Sequence, residues 1–143
     1  MFYSQPMTKK EADPTGRSQH EAGAKLDQGK VRPALVLGGF ARALWAVSEV
    51  GSFGAIKYTE NGWVTVPNGQ ARYEDADLRH WLKDKMGQDT DEDSNLTHLA
   101  HKAWNALAVL DLELRKKEEL NKVEAIIDQT RHVEKTRVAE WLP

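Results

Sequence analysis

The chain has 143 residues, a formal net charge of −2, 29% charged residues with both signs interspersed, and no cysteine. That length suits one domain with a real core. The lack of cysteine excludes a disulfide framework or thiolate metal site, and the near-neutral charge argues against a nucleic-acid surface. No apolar run reaches the length of a signal peptide or a membrane span, so the expected setting is the cytosol, or the host cytosol for a viral gene, with no membrane partner.

Residues 1–24 are polar, rich in Lys, Glu, Ser and Gly, and without periodicity, the pattern of a flexible arm. In the following Lys25-Leu26-Asp27-Gln28-Gly29-Lys30-Val31-Arg32-Pro33, Gly29 and Pro33 argue against a helix. Its Lys25, Lys30 and Arg32 either grip a polyanion or solubilise a charged loop. Residues 34–58 read as a helix, with Leu37, Ala41, Leu44 and Val47/Ser48 at helical spacing, although Gly38-Gly39 weakens its first turn. Gly51 and Gly54 near its end let a backbone or a ligand come close. Residues 61–69 are turn-rich, with room for a short ribbon at 63–66.

The next helix is expected over 73–85, ended by Gly87. The loop 88–95 carries Asp89, Asp91, Glu92 and Asp93, and Ser94 or Asn95 is the expected N-cap of a long helix from about Leu96. Leu99, Ala103, Ala106/Leu107, Leu110 and Leu114 form an apolar stripe on that helix. Val123, Ile126/Ile127, Val133 and Val138 keep the period, and Trp141 adds an apolar anchor. The C-terminal part has too few apolar groups to fold alone and is expected to dock on the body or on another subunit. Almost nothing favours a sheet, so the expected fold is an all-α bundle of three or four helices with a long loop insertion. The domain reading is an arm at 1–24, a body at 25–114 and a helical extension at 115–143.

Three of the five histidines, His80, His98 and His101, fall within 22 residues, together with a dense set of carboxylates. Carboxylate oxygens suit Mg²⁺ or Mn²⁺, imidazoles serve as ligands or proton carriers, and guanidinium suits phosphate oxygens. Each group also has a plainer reading. Asp91 and Asp93 complement a helix dipole, His98 and His101 make one polar stripe, and His80 beside Arg79 is a satisfied core histidine. The pair Lys57-Tyr58, with Asn61 and Trp63, would then be an ordinary helix end.

Five pieces in order carry a resemblance: Lys25-x-Asp27-x-x-Lys30-x-Arg32; Gly54-Ala55-Ile56-Lys57-Tyr58; Asn61-x-Trp63; Ala76-x-x-Arg79-His80; and Asp91-x-Asp93-Ser94…His98-Leu99-Ala100-His101-x-x-x-Asn105. Over about residues 24–114 the chain resembles a phage family of dATP/dGTP diphosphohydrolases, all-α and MazG-like. It departs from the family pattern at Gly87-Gln88, where a Gly-Glu pair is usual, and at Asp91-Glu92-Asp93-Ser94-Asn95, where an Asp-Pro-Glu-Ser-Gly-like turn is usual. Glu49 is present, but Ser52 stands where the wider MazG group has a second helical acid. Glu74-x-x-Asp77 also has that group's spacing.

The resemblance implies hydrolysis of a purine (deoxy)nucleoside triphosphate between its α- and β-phosphates, with Mg²⁺ or Mn²⁺ as cofactor and a homo-oligomer, dimer or tetramer, as the working form. Glu49, His80 and Asp91 are then the candidate catalytic residues. Glu49, Asp77, Asp91, Asp93 and His98 are the candidate cation ligands. Lys25, Lys30, Arg32, Lys57, Tyr58, Asn61, Trp63, Arg79, His101 and Asn105 are the candidate substrate contacts. The rival reading is a non-catalytic phage protein that sequesters a nucleotide, which Ser52 and Gln88 favour.

Overall fold

The computed structural model describes residues 11–139, with side chains to residue 134. Four α-helices follow in order: α1 Pro33–Gly39, α2 Ala41–Lys57, α3 Gly69–Lys85 and α4 His98–Ala139. Among the described residues there is no strand, only an isolated bridge between Thr90 and Thr97. The all-α expectation therefore holds. No single helix among these residues is long and apolar enough to cross a membrane. Val138, named above as keeping the period, and Trp141, named as an apolar anchor, lie outside the described side chains.

The chain divides into two compact units, Met1–Leu44 and Trp45–Pro143, and the division falls inside α2. In the first unit, the described part of the expected arm is organised around Asp13. Its carboxylate accepts from Thr15 N–H, the Thr15 hydroxyl and Lys25 N–H. The Thr15 hydroxyl and the backbone donors of Lys25 and Thr15 hold the Asp13 carboxyl below its ordinary value. The single helix expected over 34–58 is two: Pro33 opens α1, and the chain breaks at Phe40, whose N–H closes on Val36 O. Gly38-Gly39 sits where the break falls, as two poor helix formers should.

In the second unit, α3 packs along α4, and a 3-10 turn at Gly62–Thr65 touches both. That turn replaces the expected ribbon. Asn61 enters it in the left-handed region at φ 57°. Helix α3 starts four residues earlier than periodicity suggests. Asn68, at φ 53°, turns the chain and accepts from Arg72 N–H. The buried Gly69 follows, where a Cβ would meet Leu112 at 3.2 Å. At the far end Gly87, at φ 84°, donates to Asp84 O, and Gln88 donates to Lys83 O. Those are the paired bonds of a Schellman stop.

Helix α4 is capped by Thr97, not Ser94 or Asn95: Thr97 Oγ1 accepts from Ala100 N–H at 3.2 Å. The Ser94 hydroxyl is used elsewhere, accepting from Leu96 N–H. One helix of 42 residues then runs through the expected boundary at 114. The buried residues of α4 are His98, His101, Asn105 and Ala108, which share one face, and Ala100. The expected core stripe turns out to face outward: Leu99, Leu107 and Leu110 are each about half exposed, as are Leu78 and Leu82 of α3.

Gly87 has open space around a Cβ, so replacing it tests backbone conformation alone. Gly87→Ala should destabilise the protein by about 1–2 kcal/mol, the cost of a left-handed L-residue. Urea unfolding followed by far-UV circular dichroism would read that loss.

Candidate functional site

A cleft of about 1000 Å³ opens in the second unit between the end of α2, the 3-10 turn, α3, the acidic loop and the start of α4. Its volume is at the upper end of the range for small-molecule sites. Ten of the residues singled out in the sequence line it: Lys57, Tyr58, Asn61, Trp63, Arg79, His80, Asp91, Asp93, His101 and Asn105. His98 sits against this wall with 1% of its surface exposed.

Other candidates lie elsewhere. Glu49 is exposed on α2 and is not among the cleft residues. Asp77 is half-buried, outside the cleft lining, with its Oδ1 3.5 Å from Lys102 Nζ. Lys25, Lys30 and Arg32 belong to the first unit, where Lys25 pairs with Asp27 and Lys30 with Glu11, each at 3.3 Å.

The histidines form one cluster across the α3–α4 contact. His80 Nδ1 and His98 Nδ1 are hydrogen-bonded at 2.8 Å, one of the two carrying the proton. His101 stacks on His80 with ring centres 4.5 Å apart and planes 10° from parallel. The spacing explains this: His98 and His101 are three residues apart and share the face that α4 turns to α3.

The acidic loop closes on itself to bring Asp91 to these rings. Asp91 N–H donates to Leu96 O, Asn95 N–H to Asp91 O and His98 N–H to Asp89 O. Asp91 Oδ1 accepts from Asp93 N–H, Ser94 N–H and the Ser94 hydroxyl. The same hydroxyl lies 2.7 Å from His101 Nε2, so Ser94 links the carboxylate to the imidazole. Sequence reasoning gave Ser94 a capping role and missed this one.

Burial opposes ionisation of Asp91, but the Ser94 N–H, the charge of His101 and the Asp93 N–H outweigh it, and the carboxyl titrates below its ordinary value. Burial, then the neighbouring His101 and His98, push His80 down to about 4. Burial also lowers His101, against the opposing pull of Asp91. His80 and His101 are thus neutral at pH 7, in the form that binds metals and accepts protons.

His80, Asp91 and His98 each offer a ligand atom within 4.8 Å of the other two. Among the described residues, the buried side-chain atoms without a hydrogen-bond partner are His98 Nε2 and Asp77 Oδ1. The latter faces Lys102, whereas His98 Nε2 has no such cover. An orphan of this kind costs about 1–3 kcal/mol. The donor set fits a bound divalent cation. Asp93, expected as a ligand, is instead ion-paired with Lys57, and that bond raises the lysine's pKa.

The rest of the cleft carries charges of both signs and aromatic rings. Lys57, Arg72 and Arg79 line it together with Glu60, Asp75 and Asp93, as do Trp104, Tyr73 and Trp63. Trp63 meets Trp104 edge to face at 6.0 Å, and Tyr73 OH donates to Trp63 O at 3.2 Å. Arg72, Asp75 and Trp104 were missed in the sequence. Arg72 and Asp75 precede Arg79 by seven and four residues on α3, a helical-face spacing that would have found them.

With this geometry in place, the comparison with known families has a clear reading. The family described as dATP/dGTP diphosphohydrolase, N-terminal, matches residues 20–122, so this cleft lies on a hydrolase framework. The chain belongs to that family. No curated protein and no solved structure matches it.

The depressed pKa of His80 has a consequence for stability. Between its folded value of about 4 and its ordinary 6.5, unfolding takes up a proton, so stability falls as pH drops through that window and is unaffected above it. The groups facing His80 are His98 and His101 of α4, Asp91 of the loop and Lys83 of its own helix. In metal-free buffer the melting temperature should be level from about pH 8 to 7 and decline below 6.5. Scanning calorimetry should show a shallower decline in His80→Gln.

Proposed function

We propose that this protein is a metal-dependent pyrophosphohydrolase of purine (deoxy)nucleoside triphosphates, converting dGTP or dATP to the monophosphate and pyrophosphate in phage nucleotide metabolism. The observation that carries the reading is the cleft itself. One wall joins an imidazole cluster to an ionised carboxylate, and the rest carries basic, acidic and aromatic groups. Family membership supports this substrate class.

The chain's own residues divide the work. Arg79 is a planar fork for phosphate oxygens, and Lys57 is a point charge. Lys57 must trade Asp93 for a phosphate, which costs little because the pair is solvent-exposed. Tyr58 at the rim and Trp63 offer ring faces to a purine. Asn61 and Asn105 offer amide groups to its edges or sugar; Asn105 Nδ2 already donates to His101 O, so its carbonyl oxygen is the atom left for substrate. The His80–Asp91–His101 wall is the reacting end, where a neutral imidazole accepts the proton of the attacking water. A bound Mg²⁺ or Mn²⁺ would neutralise charge developing on the phosphate oxygens and acidify that water.

A nucleotide-sequestering protein is the second reading, favoured by Glu49 lying outside the cleft lining. One incubation separates them: purified protein with Mg²⁺ or Mn²⁺ and each common ribo- and deoxynucleoside triphosphate, assayed for pyrophosphate. The hydrolase reading expects release from a purine nucleotide. It also expects Asp91→Asn to lower the rate at least about 100-fold, as for lost transition-state stabilisation, while calorimetry finds dGTP binding largely kept. Tight binding without any release would establish the sequestering reading.

The working form is proposed to be a homo-oligomer, supported by the outward leucines of α3 and α4. Leu107→Asp or Leu110→Asp should shift the mass toward the monomer in light scattering coupled to gel filtration. An unchanged mass would reject this face as the subunit contact.

A further inference from the structure

We infer that His80, His98 and Asp91 form a transition-metal site that selects an ion such as Zn²⁺, Co²⁺ or Mn²⁺ over Mg²⁺, with His101 and Ser94 as its positioning residues. The catalytic consequence of this inference rests on the hydrolase reading above; metal binding itself does not. Two imidazoles and one carboxylate converge from three elements: His80 from α3, His98 from the first position of α4 and Asp91 from the loop between them. Such a set leaves several coordination positions open for substrate and water.

The spacing fits an ion. Two nitrogens on neighbouring octahedral positions, each about 2.1 Å from the metal, stand about 3.0 Å apart, and tetrahedral positions put them about 3.4 Å apart. The facing Nδ1 atoms of His80 and His98 are 2.8 Å apart, held now by one proton that a metal would replace. The His98 ring is buried, which keeps its Nδ1 turned to His80.

The choice of metal follows from ligand chemistry. Mg²⁺ takes oxygen ligands, keeps its waters and gains little from imidazole, whereas imidazole binds Mn²⁺, Co²⁺ and Zn²⁺ in rising order apart from Ni²⁺ and Cu²⁺. The start of α4 adds partial positive charge beside His98, which works against any cation. Only an ion that bonds strongly to nitrogen overcomes that with a single carboxylate.

The surroundings orient the ligands. His101 lies flat on His80 and is tied through Ser94 to Asp91 Oδ1. Asp91 Oδ1 already takes three hydrogen bonds, which hold the carboxylate in one rotamer while its other oxygen takes none of them. Partners of this kind set ligand direction, and their loss typically lowers metal affinity about 10–100-fold.

The test is made on full-length, metal-stripped protein without nucleotide. CoCl₂ is titrated while the visible absorption of Co²⁺ is followed, and ZnCl₂, MnCl₂ and MgCl₂ are each titrated by calorimetry. One equivalent of Co²⁺ per chain should bind with new visible bands, and Zn²⁺ and Mn²⁺ should bind at least about 100-fold more tightly than Mg²⁺. His80→Gln and Asp91→Asn should each abolish the stoichiometric band, and Ser94→Ala should weaken binding about 10-fold or more with the band retained. Circular dichroism of the metal-free variants confirms that they fold; His98→Ala is not relied on because that ring is buried.

Lack of stoichiometric Co²⁺ binding, Mg²⁺ binding as tightly as Zn²⁺, or binding untouched by His80→Gln and Asp91→Asn would each overturn the inference. Pyrophosphate release with Mg²⁺ by a protein that binds no Co²⁺ would sink the site and leave the hydrolase reading standing. Co²⁺ binding by a protein that releases no pyrophosphate would uphold the site and sink the hydrolase reading.

Discussion

The contact between α3 and α4 places imidazoles where a helix pair ordinarily buries leucines. Small residues make the approach possible: Ala108 is buried on α4, and Gly69 of α3 lies against Leu112. Between them, His98, His101 and Asn105 occupy interior positions that apolar side chains would fill more cheaply. They are tolerated because most of their polar atoms find partners: His80 for His98, Ser94 for His101, and the His101 carbonyl for Asn105. The interface thereby spends stability on a rigid polar site, with its side chains mounted on helices instead of free loops.

The loop between these helices is the second half of the same device. It begins in the left-handed Gly87 stop and ends in the Thr97 cap, so both ends are pinned to helix termini. Within it, backbone bonds from Asp91 to Leu96 and from Asn95 to Asp91 close a tight clasp, with Asn95 in the left-handed region. Asp91 is therefore positioned by the backbone, and its pKa is lowered by N–H donors that the clasp aims at it. The loop's charge has two uses: Asp91 turns to the imidazoles, and Asp93 turns to Lys57.

The same packing decides what the second unit shows to its surroundings. With the polar face of α4 turned to α3, Leu99, Leu107 and Leu110 are left facing out, and Leu78 and Leu82 of α3 are exposed as well. Apolar surface of this kind is costly in water and gains by association. Site and outward face are two consequences of one rotational choice about the axis of α4.

The existence of the helices was determined locally and was legible in the chain. Apolar spacing, the Gly87 stop and the turn residues at 61–69 act over a few neighbours, so they were readable without a fold. So was most of the cleft, because Arg79-His80, Asp91-x-Asp93 and His98-x-x-His101 already sit together in sequence and, through the resemblance, pointed to one site. What only the tertiary structure decided is which face of α4 is buried and which acid meets the histidines. Periodicity marks that a helix has an apolar side but not whether that side meets its own chain or remains outside, and here the leucines remain outside. Glu49 had the right chemistry in the sequence, yet it is Asp91, carried by a clasp of non-neighbouring backbone bonds, that reaches the imidazoles. Likewise Thr97 caps α4 because Ser94 is drawn to His101, a competition between partners that exists only once the loop has closed.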